Sequence, residues 1–440
     1  MINGEKNRIA MFSVHSDPLA AIGSRSAGGQ NVYIKNLVTH LDKKGWGIDV
    51  FTRLDNAKKK IISKIGKRSR VIRLSAGKPI DIPKGQLHPH FTEFYQNFLQ
   101  FISSAEAVPS SAATPVPPSV VQAPQNPYQL FHGHHYDGGE IALWAHQQFK
   151  KPLVVNFHSL GQVRFETQKK YSFDGNEQKI FDERFVMEKD IVKNASLIIS
   201  LAETEKRDLH MLYGAASEKV VVIPGGVNIS EFMKIPKEKA RASLNLPMSD
   251  FILLFVGRLE WRKGVGTLIS ALELLKKEIP NVRLRVVGGK IFGLQKNKDD
   301  FREYQRLSEK AREDKVEESI EFMGRIDQGQ LRLCYSAADV LVIPSYYEPF
   351  GLVALEGMAA QIPVVASRKG GLRYTIKENQ NGLLFEPRNA RDLKEKIFKL
   401  YKSKELTSKL VGDAYEDVVK NYSWKHIAEQ ISAAYNNFIH

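Results

Sequence analysis

Val340-Leu-Val-Ile343-Pro344-Ser-Tyr-Tyr-Glu348-Pro-Phe350-Gly351-Leu352-Val-Ala-Leu-Glu356-Gly-Met-Ala-Ala360 is the stretch on which the reading of the fold turns. Val340 to Ile343 is a short apolar run stopped by a proline, which predicts a buried parallel strand. The small and apolar residues from Gly351 to Ala360 predict a helix packed on a sheet. Tyr346 to Phe350 then form a strand-to-helix loop. In open α/β sheets such loops lie at the carboxyl ends of the strands, where ligands bind.

Two carboxylates stand out. Glu348 sits in the loop, and Glu356 sits in a helix with no other charge. A carboxylate there is costly to desolvate unless it is paired or ligand-bound. The free N–H groups of Phe350, Gly351 and Leu352 form a helix N-terminus, which favours an anion. The loop thus offers donors for a phosphate and acceptors for hydroxyls, and a sugar nucleotide presents both. A salt-bridged Glu356 and an exposed Glu348 would be the plainer reading of an isolated pair. The context is wider: Pro363-Val-Val-Ala366 and Gly370-Gly371-Leu372 follow. The whole segment resembles the signature of family-4 glycosyltransferases. That resemblance implies a retaining, nucleotide-sugar-dependent enzyme of the GT-B fold: α/β, with two Rossmann-like doubly wound domains facing a central cleft.

Length and composition fit this. The chain has 440 residues, enough for two domains with separate cores, and is 42% apolar and 26% charged. No run of about 18 apolar residues occurs, so no membrane span is expected. The polar start runs straight into a strand-like Ile9–Val14, unlike a signal peptide. Cys334 is the single cysteine, which with no export signal fits a reducing cytoplasm. The formal charge of +15 admits a nucleic-acid surface, an anionic membrane surface or phosphorylated substrates. The basic residues are dispersed apart from Lys58 to Arg73, and no nucleic-acid motif with interleaved aromatics occurs. A nucleic-acid partner is therefore not expected, and peripheral membrane contact stays compatible with the basic surface.

From the N-terminus, Ile9–Val14, Ile48–Thr52 and Arg70–Leu74 read as strands one to three, with a helix from about Asn31 to a stop at Gly45. Gly28-Gly29 before that helix suits close approach by a ligand; on its own it would be a simple hinge. The segment His15-Ser-Asp-Pro-Leu-Ala with Ala27-Gly28-Gly29-Gln30-Asn31 resembles the opening of bacterial sucrose-phosphate synthases and inositol-phosphate glycosyltransferases. The resemblance implies that this loop covers the donor's sugar diphosphate, with Gln30 and Asn31 near the acceptor. Residues 103–127 turn rich in Pro, Ser and Ala and read as a disordered insertion.

His132-Gly-His134-His135-Tyr136-Asp137 invites a metal reading, since His132 and His134 share a face of a strand end. No Cys/His cluster of ligand spacing accompanies them in the sequence, so no metal is expected. The segment resembles a strand end of the family that faces the cleft, which puts His134 on the acceptor side. His158 closes another strand, Leu153–His158. Alone it is as well read as hydrogen-bonded structure. The resemblance places it beside the transferred sugar, and places Arg164 against an acceptor phosphate.

In the second half, Phe251–Val256 is a buried strand. It leads into Gly257-Arg258-Leu-Glu260-Trp261-Arg262-Lys263-Gly264, then a helix with Leu268, Leu272 and Leu275 on one face. Arg258 and Lys263 flank this turn and can converge on one anion. Two surface cations would be the plainer reading, but the family's matching segment gives both to the donor diphosphate. By resemblance Gly289, Arg325 and Ile326 line the same nucleotide site, Glu356 holds ribose hydroxyls, and Glu348 with the amides of Phe350, Gly351 and Leu352 holds the sugar. Ser196, Asn228 and Gln361 depart from the family's usual Asp, Asp and Gly.

The expected domains are 1–228 on the acceptor side, 229–420 for the nucleotide sugar, and a final helix, 421–440, returning to the first. The expected activity is hexosyl transfer, with retention, from a nucleoside-diphosphate sugar, UDP-linked by preference, and no other cofactor. His158, Arg258, Lys263 and Glu348 would carry the chemistry. The family's front-face attack, with the donor phosphate taking the acceptor's proton, needs no protein base. The acceptor is read as a small phosphorylated one, such as fructose 6-phosphate or an inositol phosphate. The alternatives are a lipid or peptide acceptor, or a non-catalytic nucleotide-sugar-binding protein. No strand is followed by the dinucleotide fingerprint, which disfavours a dehydrogenase.

Overall fold

The computed structural model describes residues 7–20, 29–104, 126–168, 175–291, 293 and 298–439. Gly28 and residues 105–125 of the Pro/Ser/Ala-rich segment lie outside them. The chain divides into two compact units: Met1–Leu201, Lys206–Ile223 and Ala428–His440 form the first, Ala202–Glu205 and Pro224–Ile427 the second. The change of unit falls after Ile223 and the return at Ala428, a few residues from the sequence-based limits of 228 and 421.

The first unit is built on eight strands: β1 (Arg8–Phe12), β2 (Gly47–Arg53), β3 (Ile62–Lys64), β4 (Arg70–Leu74), β5 (Leu130–His134), β6 (Leu153–Asn156), β7 (Leu197–Ser200) and β8 (Val220–Val222). Their order in the sheet is β3-β4-β2-β1-β5-β6-β7-β8. The chain winds outward from β1 to one edge and then to the other, the doubly wound pattern. Ile9 to Phe12 are fully buried, as strands covered on both faces must be. Every pairing is parallel except β3 with β4. Arg70–Leu74 is therefore the fourth strand, not the third. The missed strand is three residues in a lysine-rich stretch, too short for alternation to show. The helix Phe91–Ser103 buries Phe91, Phe94, Phe98 and Phe101, and Phe98 packs edge-on to Phe12 and Phe51 at 5.0 Å.

One carboxylate ties three of these strands together. Asp49 on β2 is fully buried. It accepts from Arg8 at the start of β1 (2.9 Å), from Arg70 at the start of β4 (2.8 Å) and from the Tyr128 hydroxyl (2.7 Å). A buried charge is tolerated when its lone pairs are filled in this way. The last helix, Trp424–Asn436, also packs into this unit. Tyr435 is fully buried with its hydroxyl 2.6 Å from His132 Nδ1, and Trp46 donates to Ser432 at 2.9 Å.

The second unit holds β9 (Phe251–Val256), β10 (Val282–Val287), β11 (Ile320–Gly324), β12 (Val340–Ile343), β13 (Val364–Ser367) and β14 (Leu383–Phe385). All pairs are parallel, in the order β11-β10-β9-β12-β13-β14. The winding reverses between β9 and β12, the switch point at which open α/β sheets bind their ligands. The helix after β9, Val265–Lys276, buries Leu268, Leu272 and Leu275 completely, matching their 3.6-residue spacing.

Asp49→Ala would strand Arg8, Arg70 and Tyr128 in the interior. It is expected to destabilise the first unit by about 3–5 kcal/mol, read as a lower midpoint in urea unfolding. An unchanged midpoint would remove Asp49 from this role.

Candidate active site

On the second unit the loop after β9 and the loop after β12 are locked together by backbone. Gly264, at φ 72°, lies where a Cβ would come within 2.0 Å of the Pro344 carbonyl. Tyr346 N–H donates to the Arg262 carbonyl at 2.7 Å. The Glu348 loop is held from its other side by Gly370, at φ 57°, whose Cβ would meet the Glu348 carbonyl at 2.0 Å. Only glycine allows either approach.

This packing delivers Lys263 to Glu348: Nζ lies 2.6 Å from Oε2, with both side chains under 15% exposed. Ser345 adds a hydroxyl at 3.3 Å. Burial alone would raise the Glu348 carboxyl. Lys263, by charge and hydrogen bond, and then Arg262, reverse the sign and hold it below its ordinary value. Glu348 is thus ionised, in front of the helix Leu352–Ala359, whose N-cap is Gly351 at φ 93°. Glu356 lies one turn further along that helix. It accepts from the Tyr335 hydroxyl at 2.7 Å. Burial raises its carboxyl, Tyr335 opposes this, and Glu231 adds to the rise.

Arg258 is not part of this pair. It is more than half exposed and bonds Glu260 at 3.0 Å, which also takes Arg262 at 2.5 Å. The cation backing Glu348 is Arg262, which the sequence reading passed over. Gly289 follows β10, and Arg325 and Ile326 follow β11. Gly288 N–H donates to the Gly324 carbonyl at 2.8 Å, so the two turns sit side by side at the carboxyl ends of their strands.

On the first unit the carboxyl ends of β1, β5 and β6 carry a second group. The helix His135–Phe149 begins directly after β5. Asp137, in its first turn, is fully buried and takes three donors: His15 N–H (2.9 Å), His15 Nδ1 (2.7 Å) and His135 Nδ1 (3.0 Å). Burial opposes its ionisation, but these two histidines hold its carboxyl well below the usual range. Burial lowers both imidazoles, and Lys84 and Arg184 push His135 down further. Lys84 Nζ lies 3.1 Å from His135 Nε2, and Ser159 Oγ lies 3.4 Å from the same nitrogen. Arg184 donates to the Ser159 carbonyl, bonds Glu188 at 2.7 Å, and lies over the Tyr136 ring at 5.1 Å. Glu188, fully buried, also accepts from Tyr213 at 2.6 Å and from Gly161 N–H.

His15, His135 and Asp137 have the spacing of a metal-ligand triad, the one such group among the described residues. With an ammonium and a guanidinium alongside, the surroundings suit an anion better than a dication.

The other site residues read from the sequence lie in varied surroundings. His134 is fully buried and bonded to His158 at 2.8 Å. Asn31 is also buried. Its amide donates to the Asp17 carbonyl at 2.5 Å and accepts from Ser16 at 2.8 Å, bracing the loop after β1. Gln30 is half-buried and reaches Ser13 at 3.2 Å. Arg164 is half-buried on the helix Gly161–Gln168 and acts electrostatically on Tyr136. Lys84 and Arg184 were not anticipated. Lys84 sits in a three-residue 3-10 turn with no periodicity around it. The Arg184/Glu188 pair at i,i+4 is a pattern common on any helix.

No helix among the described residues is long and apolar enough to cross a membrane. The family profile described as Glycosyltransferase Family 4 matches residues 27–231, and that described as Glycosyl transferases group 1 matches residues 236–417. A D-inositol 3-phosphate glycosyltransferase of Corynebacterium jeikeium is 30% identical over 433 residues, covering 97% of this chain and 96% of that protein. One from Kineococcus radiotolerans is 31% identical, covering 85% and 81%. The solved sucrose-phosphate synthase of Thermosynechococcus elongatus superposes with a TM-score of 0.83 at 32% identity, covering 98% of each chain. Two doubly wound parallel sheets, a Glu-x7-Glu loop at the carboxyl edge of the second, and full-length likeness to these enzymes have one common explanation: the chain belongs to the family-4 glycosyltransferases of the GT-B fold.

Proposed function

We propose that this glycosyltransferase takes its sugar from a nucleoside-diphosphate sugar, with uridine the favoured base, and passes it with retention to a small phosphorylated acceptor. The observation that carries the donor half is the 2.6 Å Lys263–Glu348 pair at the carboxyl end of β12. An ammonium meets the diphosphate, while an ionised carboxylate and the helix N-terminus at Gly351 meet the sugar. Glu356, one oxygen engaged by Tyr335, offers the other to ribose hydroxyls. Lys263 and Arg262 carry the positive charge nearest the departing diphosphate, with Arg258 as an outer cation. Fixed charge of this kind stabilises a leaving group with no metal. The donor phosphate serves as the base for the acceptor hydroxyl, and His158 lies beside the sugar.

The acceptor half rests on Lys84 and Arg184, which bracket His135 and Ser159 on the first unit. Two permanent cations next to neutral imidazoles and a serine hydroxyl give this strand edge a chemistry suited to a phosphate. The relatives' names specify inositol 3-phosphate and sucrose phosphate, in line with an inositol phosphate or fructose 6-phosphate as acceptor. A peptide acceptor without phosphate gives these cations no phosphate to meet.

Glu356→Gln should fold normally and lose roughly 10- to 150-fold in donor affinity, the span of one hydrogen bond to a charged group. Lys263→Ala should abolish transfer. Both are read by melting protection with a panel of nucleotide sugars and by release of nucleoside diphosphate. Wild-type behaviour of the two variants would sink the donor assignment.

Lys84→Ala should raise KM for a phosphorylated acceptor by roughly 10- to 100-fold while leaving donor KM unchanged. Equal effects on a phosphorylated acceptor and its unphosphorylated analogue would remove Lys84, and the acceptor reading with it.

A further inference from the structure

The His-x-His pair of β5 has no part in the transfer described above, yet it forms the floor under His158. His132 and His134, two residues apart on a strand, face the same way. Their ring centroids lie 4.2 Å apart, and His134 and His158 lie 5.1 Å apart at an interplanar angle of 24°. Tyr33 closes the column edge-on, 6.0 Å from His134 and 5.0 Å from His158. The base of the column has a defined proton arrangement. Asn156 gives its N–H2 to the Ile199 carbonyl at 2.7 Å, so its oxygen faces His132 Nε2 at 2.9 Å. His132 therefore carries its proton on Nε2, and its Nδ1 accepts from Tyr435 at 2.6 Å. His158 itself is held at φ 58°, a region that non-glycine residues occupy at a cost and that often marks functional sites.

The contact between His134 Nδ1 and His158 Nε2, at 2.8 Å, needs one N–H and one lone pair. Burial, aided by neighbouring imidazoles, pushes His134 well below its ordinary value and His158 down to about 3, so both rings are neutral. His134 Nε2 is buried with no hydrogen-bond partner among the described residues. Were His158 the donor, His134 would carry its proton on that nitrogen. A buried N–H without an acceptor costs about 1–3 kcal/mol. Were His134 the donor, Nε2 would hold a bare lone pair, and unpaired buried acceptors are less rare than unpaired donors.

We propose that His134 is a positioning residue which donates from Nδ1 to His158 Nε2, so that His158 stands as the neutral Nδ1–H tautomer and presents a donor to the substrate. This rests on the reading of His158 as lying beside the sugar. The lone pair of His158 Nε2 is then spent inside the protein, and the ring has no basic nitrogen to offer. An N–H aimed outward suits an oxygen that gains negative charge in the transition state. It also explains why transfer would need a base other than this histidine.

The test uses full-length protein with 15N-labelled histidine rings and long-range 15N–1H spectra at neutral pH, with His158→Gln to assign the signals. The expected spectrum shows His158 protonated on Nδ1. His134→Asn, whose amide can still donate, should keep that pattern. His134→Leu should shift His158 towards Nε2 protonation and lower kcat by roughly 10- to 100-fold with donor KM unchanged, one lost hydrogen bond to a charged group. Nε2 protonation in the wild type, or a tautomer indifferent to His134→Leu, overturns the proposal. The wild-type spectrum decides even if the leucine variant fails to fold. The expected tautomer together with full transfer by His158→Ala would overturn the placement of His158 beside the sugar, which the spectra keep distinct from the tautomer.

Discussion

The 2.6 Å contact between Lys263 and Glu348 is the constraint to which the rest of the second unit answers. Two opposite charges at that distance attract by several kcal/mol even at an effective dielectric of about 20, and both are mostly withdrawn from water. The backbone holds their two loops in register for the contact. Gly264 lets the β9 turn press on the Pro344 carbonyl, and Gly370 lets the next turn press on the Glu348 carbonyl. The position of the ammonium is therefore already set before any ligand arrives. A charge fixed in this way needs no reorganisation to act, which is what preorganised electrostatics requires.

The first unit uses the same topology for a different electrostatic end. Its strand ends gather histidines rather than a lysine–glutamate pair, and burial strips those imidazoles of charge. Asp137 remains ionised because His15 and His135 donate to it. Its charge is thus consumed in orienting two rings. Glu188 is spent likewise on Arg184, Tyr213 and a backbone N–H. Both carboxylates are thus engaged locally, and Lys84 adds a further cation beside His135.

What was legible in the sequence follows from how local each arrangement is. Glu348, Glu356 and Lys263 lie in two strand–loop–helix units, each a continuous stretch, so the sequence pattern placed Glu348 and Lys263 in strand-to-helix loops and Glu356 in the helix that follows. The doubly wound topology was legible for the same reason: each strand is an apolar run of four to seven residues in most cases. The Lys84, His135, Ser159 and Arg184 group was not legible. It draws on four segments whose meeting is decided by sheet order, and no spacing along the chain encodes it. Strand alternation gave the shared direction of His132 and His134 but not their depth, because Tyr435 from the last helix covers them from a distance of 303 residues. The surroundings of Arg258 were hidden for the opposite reason. Its motif is local, but Glu260, two positions on, is as local and nearer.

Neutral histidines and permanent cations divide the work on the first unit, and the division has a physical reason. An imidazolium beside Lys84 and Arg184 would be a third positive charge in a buried space, with Asp137 and Glu188 already spoken for. Desolvation and like charge therefore act in the same direction on His135. A charge that relied on a protonated histidine would titrate near neutrality; lysine and arginine charges do not. The imidazoles are left free for a task that needs direction rather than charge. Each ring offers one N–H and one lone pair along fixed lines, and the packing around His132, His134 and His158 settles which is which.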